Sequence, residues 1–245
     1  MSLRALGFAL LCLLAASNGW AAVTFDAASS SSCSGCTSIS FSHTTSGSDR
    51  YLAAFATYDL ANSVDPSPTT WTYNGVALSS KCTDQVDGQV REQARELINP
   101  ASGANTFQIS FTNQSFDMVA GVVSFTGVHQ TTPSGACASS NGTGTAPSVN
   151  VSSATDEIVV DGIGHTDAAD TLTAGAGQTE RFDTGGAFPL VHGGASTEVG
   201  AASVTMSWTI SSSRDWAILG WGVKPASGAA PSGPASRINL MGVGK

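Results

Sequence analysis

Basic residues are scarce in this chain, and so are the residues that build helices. Only 10 Lys+Arg stand against 18 Asp+Glu, charged residues make up 11 % of the 245, and the formal net charge is −8. An acidic surface without a basic cluster argues against nucleic acid and anionic membrane as partners. Past the first 21 residues no apolar run approaches the roughly 20 residues of a spanning helix, so no membrane insertion is expected. There is no second Cys-x-x-Cys, no His-x-x-x-His spacing and no Gly-x-Ser-x-Gly elbow. Those absences remove the common zinc ligand sets and the α/β serine hydrolases, and the expectation is a non-enzymatic protein. Leu, Lys and Glu give way to Gly, Ser, Thr and Ala, a composition that favours short strands joined by turns.

What is present begins with an export signal. Arg4 supplies a positive start, Ala5–Ala16 an apolar core, and Gly19-Trp20-Ala21 a small-x-small cleavage site, so residues 1–21 read as a removable signal peptide and the protein as secreted. Removing them takes away Arg4 and no acid, which lowers 10 Lys+Arg to 9 against 18 Asp+Glu, a net charge of −9. Residues 22–225 fit one β-sandwich domain. Residues 226–236 contain only Ala, Ser, Gly and Pro and read as a flexible linker. Residues 237–245 are a short apolar, strand-like segment, expected to pair with a sheet edge of its own or of another copy.

Inside the domain the strongest local signal is Asn74-Gly75 between Trp71-Thr-Tyr73 and Val76-Ala-Leu78, a two-residue hairpin turn. Val90–Ile98 is assigned as a strand, although Val90, Ala94, Leu97 and Ile98 also fit a helical stripe. In Asn105–Val128, Phe107, Ile109 and Phe111 alternate with polar residues, whereas Met118–Phe125 is apolar on both faces. This stretch is expected to be a hairpin at the centre of the fold, its second strand central. Trp216–Val223 is also apolar on both faces. The stretch between Asp26 and Ser38 is expected to be a cysteine-bearing loop, and Thr131–Ser148 a long Gly/Ser/Thr loop. About a dozen strands spaced by turns predict an all-β fold, a two-sheet antiparallel β-sandwich.

Four cysteines remain after processing, and their spacing suggests Cys33–Cys36 as a local clip and Cys82–Cys137 as a long-range staple. Trp71, Tyr73, Trp208, Trp216 and Trp221 are the candidate aromatic platform for a sugar ring, against the ordinary role of tryptophan in a sandwich core. Asp84 with Asp87 and Asp167 with Asp170 are loop acids that admit a calcium ion, against the alternative of solvated turns; no other cofactor is implied. Glu92 and Glu96 share a strand face too far apart to act together, so a glycosidase would need a partner such as Glu157 or Asp161. Arg91 and Arg95 beside them suggest a salt-bridged, exposed strand. His43, His129, His165 and His192 are scattered singly and read as rim residues.

The phrases Thr72-Tyr-Asn-Gly-Val-Ala-Leu78, Leu97-Ile-Asn-Pro-Ala-Ser-Gly103, Val122-Val-Ser-Phe-Thr-Gly-Val128, Gly177-Gln-Thr-Glu-Arg181 and Ser203-Val-Thr-Met-Ser-Trp208 resemble the concanavalin-like and jelly-roll modules of exported bacterial proteins and phage particles. The resemblance spans most of residues 23–226 and rests on turns and core strands. It implies a fold and transfers no catalytic residue. The expected function is therefore surface contact by a non-catalytic secreted module in adhesion, matrix or a particle, with a protein or glycan surface as partner. A carbohydrate-binding module, with or without calcium, is the alternative, and a glycoside hydrolase is third.

Overall fold

The computed structural model describes residues 22–60, 69–86, 89–112, 114–185 and 190–226. The signal segment, Asp87, most of the linker and residues 237–245 lie outside them. Among the described residues the fold is all-β, and no helix is long and apolar enough to cross a membrane.

The described strands form four sheets. The first is β1 (Thr24–Cys36), β9 (Phe116–Thr126), β3 (Tyr51–Asp59), β7 (Val90–Ile98) and β6 (Ser79–Val86), in that order. The second is β2 (Ser38–Thr45), β8 (Gly103–Phe111), β4 (Thr69–Tyr73) and β5 (Val76–Ala77). The third is β10 (Ala138–Gly144), β17 (Arg214–Val223), β12 (Ile158–Thr166), β15 (Val191–Val199) and β14 (Thr179–Thr184). The fourth is β11 (Ser148–Val151), β16 (Val204–Ile210) and β13 (Leu172–Ala174). All the pairings are antiparallel. The expected single pair of sheets is thus two pairs, stacked second, first, third, fourth.

The two pairs repeat one strand order. In each, the first strand lies beside the last, the last beside the third, and the second pairs with the penultimate strand in the outer sheet. Register repeats as well. Tyr51 pairs with Phe125 and Ile98, and the corresponding Ile158 pairs with Val223 and Val199. Across the central seam β1 lies on β14 and β10 on β6, while β3 crosses β12, so the halves meet about a local pseudo-twofold axis.

Three cores follow from strand parity. Even residues of β3 and β9, such as Leu52, Tyr58, Met118 and Val122, pack against Trp71, Phe107 and Ile109 of the second sheet. Odd residues, Phe55, Val123 and Phe125, pack across the seam on Val160, Leu219 and Trp221. The other faces of β12 and β17, with Val159, Ile163 and Ile218, pack on Met206 and Trp208. Both faces of β9 and β17 are buried, as their composition requires: one face of each is covered by the outer sheet of its own half, and the seam face by the other half of the same chain.

One central expectation is corrected: Asn105–Val128 is not a hairpin. β8 pairs with β2 and β4, whereas β9 pairs with β1 and β3, so the two strands belong to different sheets. A strand with one apolar face belongs in an outer layer and a strand with two in an inner one, which keeps the two apart. The two expected loops also contain strand: β1 runs through the cysteines with bulges, and β10 occupies 138–144 of the longer one. Small polar residues hid both, since edge strands there are held by backbone pairing rather than by side-chain burial. The Asn74-Gly75 turn is as expected, with φ of 50° and 75°.

Candidate functional site

The rings expected as a sugar platform are internal, which corrects that reading. Trp71 and Tyr73 lie in the first core, Trp208 and Trp216 in the third, and Trp221 at the seam, the most exposed being Trp216 at 9 %. Trp216 and Trp221 do point to opposite faces of β17, but both faces are covered. Each of these faces is an interface between sheets, so no ring of the set can stack on a bound sugar.

The expected disulfides both form, Cys33–Cys36 along β1 and Cys82–Cys137 between the halves. The second joins β6 to the residue before β10. Beside it Trp221 Nε1 donates to the Tyr51 hydroxyl (3.0 Å), which donates to Glu96 Oε2 (2.6 Å). Ser134 Oγ donates to the same carboxylate (2.7 Å), and Lys81 Nζ lies 3.8 Å from it. Glu96 is thus a tie across the seam.

The carboxylates do not assemble a glycosidase pair. Glu92 is 1 % exposed and faces the seam, where Thr57 Oγ1 donates to it at 2.6 Å. Burial pushes its pKa up to about 8. Asp161 points to the opposite face of β12, where it accepts from Ser196 N (2.8 Å), Ser196 Oγ (2.7 Å) and Trp208 Nε1 (2.7 Å). Burial raises it to about 6 against those hydrogen bonds. The third sheet lies between the two acids, and neither reaches solvent. The segment expected to be an exposed, salt-bridged strand is therefore half interior, with Arg95 laid over the Trp71 ring at 5.3 Å.

Among the loop acids, Asp84 falls in β6, and Asp87 lies outside the described residues. Asp167 and Asp170 are brought together, but around Arg214, whose Nη2 lies 2.7 Å from Asp167 and whose Nε bonds Asp170. Ser211 also donates to Asp170, and these bonds hold its carboxyl down at about 2. A guanidinium already occupies the position between the two carboxylates where a cation would sit.

Three of the four histidines, His43, His165 and His192, are buried rather than solitary rim residues, whereas His129 is half-buried and its side chain bonds Thr131 and Thr132. His43 is buried, with Nδ1 3.0 Å from Ser29 Oγ and Nε2 3.1 Å from Ser124 Oγ, and Ser124 donates onward to Asp26 at 2.8 Å. Burial lowers its pKa to about 4. Ser124 stands between the imidazole and the carboxylate, so this chain of bonds lacks the direct His–Asp contact of a catalytic triad. His165 and His192 face each other directly in the β12–β15 ladder, with ring centroids 5.0 Å apart. His165 Nδ1 bonds the Thr166 carbonyl (2.7 Å), and His192 Nε2 bonds Asp183 Oδ1. The remaining nitrogens, His165 Nε2 and His192 Nδ1, are buried without a partner among the described residues. Burial drives His165 down to about 4. Twenty-seven positions separate the two in sequence, and only strand register pairs them.

No protein-family model matches the chain, and no match was found among curated proteins or solved structures.

Proposed function

We propose that this is an exported, non-catalytic structural module that works by surface contact. The observation that carries the reading is the outer face of the second sheet. There Ser38, Ser40 and Ser42 of β2 stand opposite Ser110, Gln108 and Thr106 of β8, a flat and uncharged ladder of hydroxyls and an amide. Such a face offers hydrogen bonds in a regular array without the desolvation cost of charge. Behind it, the disulfide between the halves and the interlocked seam supply rigidity, which lowers the entropy lost when a flat face engages a surface. Two disulfides suit an oxidising compartment and support the secreted reading. The apolar faces of β9 and β17 are satisfied within the chain, so contact through polar faces is the better supported form.

The test is partition of the mature, oxidised protein between free solution and the extracellular material of the cells or particles that produce it. Ser40→Glu with Gln108→Glu charges the ladder, while Asn150→Glu with Thr205→Glu charges the outer face of the fourth sheet as a control. Association lost only with the first pair supports the reading. Equal partition of all three proteins, or turnover of a glycan or ester substrate, removes it. The second reading, a carbohydrate-binding module, is favoured by the same hydroxyl ladder, and a glycan panel with the same variants separates it from a protein partner.

A further inference from the structure

The two inner sheets have four edges, and three of them are built against strand addition. An open edge presents unpaired backbone N–H and C=O groups to any chain that reaches it, and bulges, charges and short length blunt it. β1 is broken by bulges at Phe25/Ala27 and Cys33/Cys36. β6 carries Lys81, a bulge between Ser80 and Cys82, and the disulfide to Cys137. β14 carries Glu180, Arg181 and Asp183, with a bulge between Glu180 and Phe182. β10 has none of these devices: Ala138–Gly144 is uncharged, contains no proline, and keeps one unbroken register against β17, beside which it ends the third sheet. In the outer sheets β5, β11 and β13 are only two, four and three residues long, and β2 lies along β1, to which His43 is bonded through Ser29.

Position leaves this edge open. β6 and β11 flank β10 from the layers on either side, and each lies over β17 as well, so the far side of β10 faces outward. Ser139, Asn141 and Thr143 are exposed along it. The Cys82–Cys137 bond pins the residue before the strand, so the edge is ordered before it meets a partner. The edge also matches itself. Antiparallel pairing with β10 of a second copy, centred on Asn141, engages all 7 residues and sets Ser139 opposite Thr143 and Ser140 opposite Gly142. Facing Ser and Thr hydroxyls are a favourable cross-strand pair. A chain of net charge −8 repels its own copies, and an uncharged edge is where two of them meet with least repulsion.

We propose that β10 is a dimer interface, at which two copies of this chain join their 5-stranded third sheets edge to edge into one continuous antiparallel sheet. A second copy suits the edge better than residues 237–245 of the same chain. The exposed row of β10 is small and polar, whereas Ile238, Leu240 and Met241 would need an apolar face to pack on. The twofold axis of an antiparallel pair runs perpendicular to its sheet, so the four layers of one copy lie level with those of the other. Both ladders of Ser40 and Gln108 then face the same side. On the reading of that ladder as the contact face, the dimer engages one surface twice and gains avidity without any new contact.

Sedimentation equilibrium of the mature, oxidised protein between about 1 µM and about 1 mM tests the interface, a range that covers weak and moderate association. A monomer–dimer equilibrium is expected. Amide exchange across residues 138–144 should slow as the dimer forms, while that of residues 179–184 should not change. Ser139→Lys with Asn141→Lys should weaken dimerisation by at least about 100-fold, since like charges then meet across the pair. Thr179→Lys on β14 and Leu240→Asp should each dimerise as the parent does. A parent that stays monomeric at about 1 mM overturns the proposal, and so does a dimer that the lysine pair leaves unaffected. Loss of the dimer in Leu240→Asp also overturns it, because residues 237–245 would then hold the copies together. Partition onto extracellular material separates this interface from the ladder. A folded lysine-pair monomer that binds at least about 100-fold more weakly than the dimer supports both. A dimer whose partition is untouched by Ser40→Glu with Gln108→Glu keeps the interface and removes the ladder.

Discussion

The amino-terminal and carboxy-terminal halves share a strand order yet fill their common seam in opposite ways. Around the pseudo-twofold axis, Phe55 and Thr57 on β3 correspond to Gly162 and Gly164 on β12, and each meets its own counterpart. A Cβ on Gly162 would lie 2.1 Å from Phe55 Cδ1, and one on Gly164 would lie 2.2 Å from Thr57 Cγ2. Off the axis the sense reverses: Phe182 of the carboxy-terminal half presses on Gly121 of the other, where a Cβ would lie 2.3 Å from Cζ. Two identical sheets crossing on an axis would place like on like at these positions, ring against ring or hollow against hollow. Because the halves differ in sequence, large meets small and the seam closes.

That comparison is most directly broken by uncoupling the halves. Removing the Cys82–Cys137 bond with serines releases a crosslink of sequence separation 55, and chain entropy sets the expected loss at about 4 kcal/mol, read from urea unfolding. The same change at Cys33 and Cys36, which joins residues of one strand, should cost only about half as much.

Overfilling the seam comes next. Gly162→Ala is expected to cost about 3 kcal/mol, because the added methyl would overlap the Phe55 ring, 2.1 Å from Cδ1. Phe55→Leu in that background should recover part of the loss, although in the parent it destabilises. Additive losses in the double variant would mean that the two residues do not meet.

Titration sharpens the contrast in polarity. Folded Glu92 keeps its proton up to about pH 8 against an ordinary value of 4.5, so between those values the native state holds more protons than the unfolded chain. Its contribution is complete at the acid end of that window and is lost as pH rises. Asp161, raised to about 6, behaves likewise over a lower range. His43 and His165, held near 4 against 6.5, act in the opposite sense and add stability as pH rises to that value. The opposed groups largely cancel at acid pH, so the net fall appears between about 6.5 and 8. Glu92→Gln should flatten that fall, which between pH 6.5 and 8 amounts to roughly 2 kcal/mol. An unchanged slope between urea midpoints at pH 6.5 and 8.5 would refute the assignment.

The smallest change is expected at the surface. Arg214→Ala frees Asp167 and Asp170 in a solvated cluster, where screening leaves little net attraction, and the thermal midpoint should hardly move. The variant also creates two unoccupied carboxylates. Calcium protection of Arg214→Ala but not of the parent would show that the guanidinium is what excludes the ion.

Much of the fold is legible residue by residue. Period-two alternation marks β8, the Asn74-Gly75 turn names its hairpin, and the two doubly apolar strands announce inner sheets. The repeat leaves a trace too: Ser115-Phe-Asp-Met118 and Ser213-Arg-Asp-Trp216 each open one of those strands. What could not be read is pairing. β8 and β9 are consecutive and apolar, which suggests a hairpin, yet their partners lie far away in the chain. β10 carries no periodic apolar signal because its neighbour β17 supplies the packing.

The candidate sites divide in the same way. Cysteine spacing is a property of the chain, and the disulfides form as it suggests. Burial is not such a property: Trp71, Tyr73, Trp208, Trp216 and Trp221 are amphipathic rings whose exposure depends on how many layers the sheets make, and here a third and fourth sheet cover them. Glu92 reads as solvated because nothing local reveals that the other half will close over its face.

The sequence by itself determined the class of fold, the inner strands, the tight turn and the covalent pairs, since each depends on the period of side chains or on the spacing of a few residues. Only the tertiary structure decided that two sandwiches share one seam, that the seam face of β9 is covered by β15 and that of β17 by β6 and β7, and that His165 stands opposite His192. Those facts depend on register between distant strands, and register is set by the sum of weak packing terms over a whole sheet rather than by any residue alone.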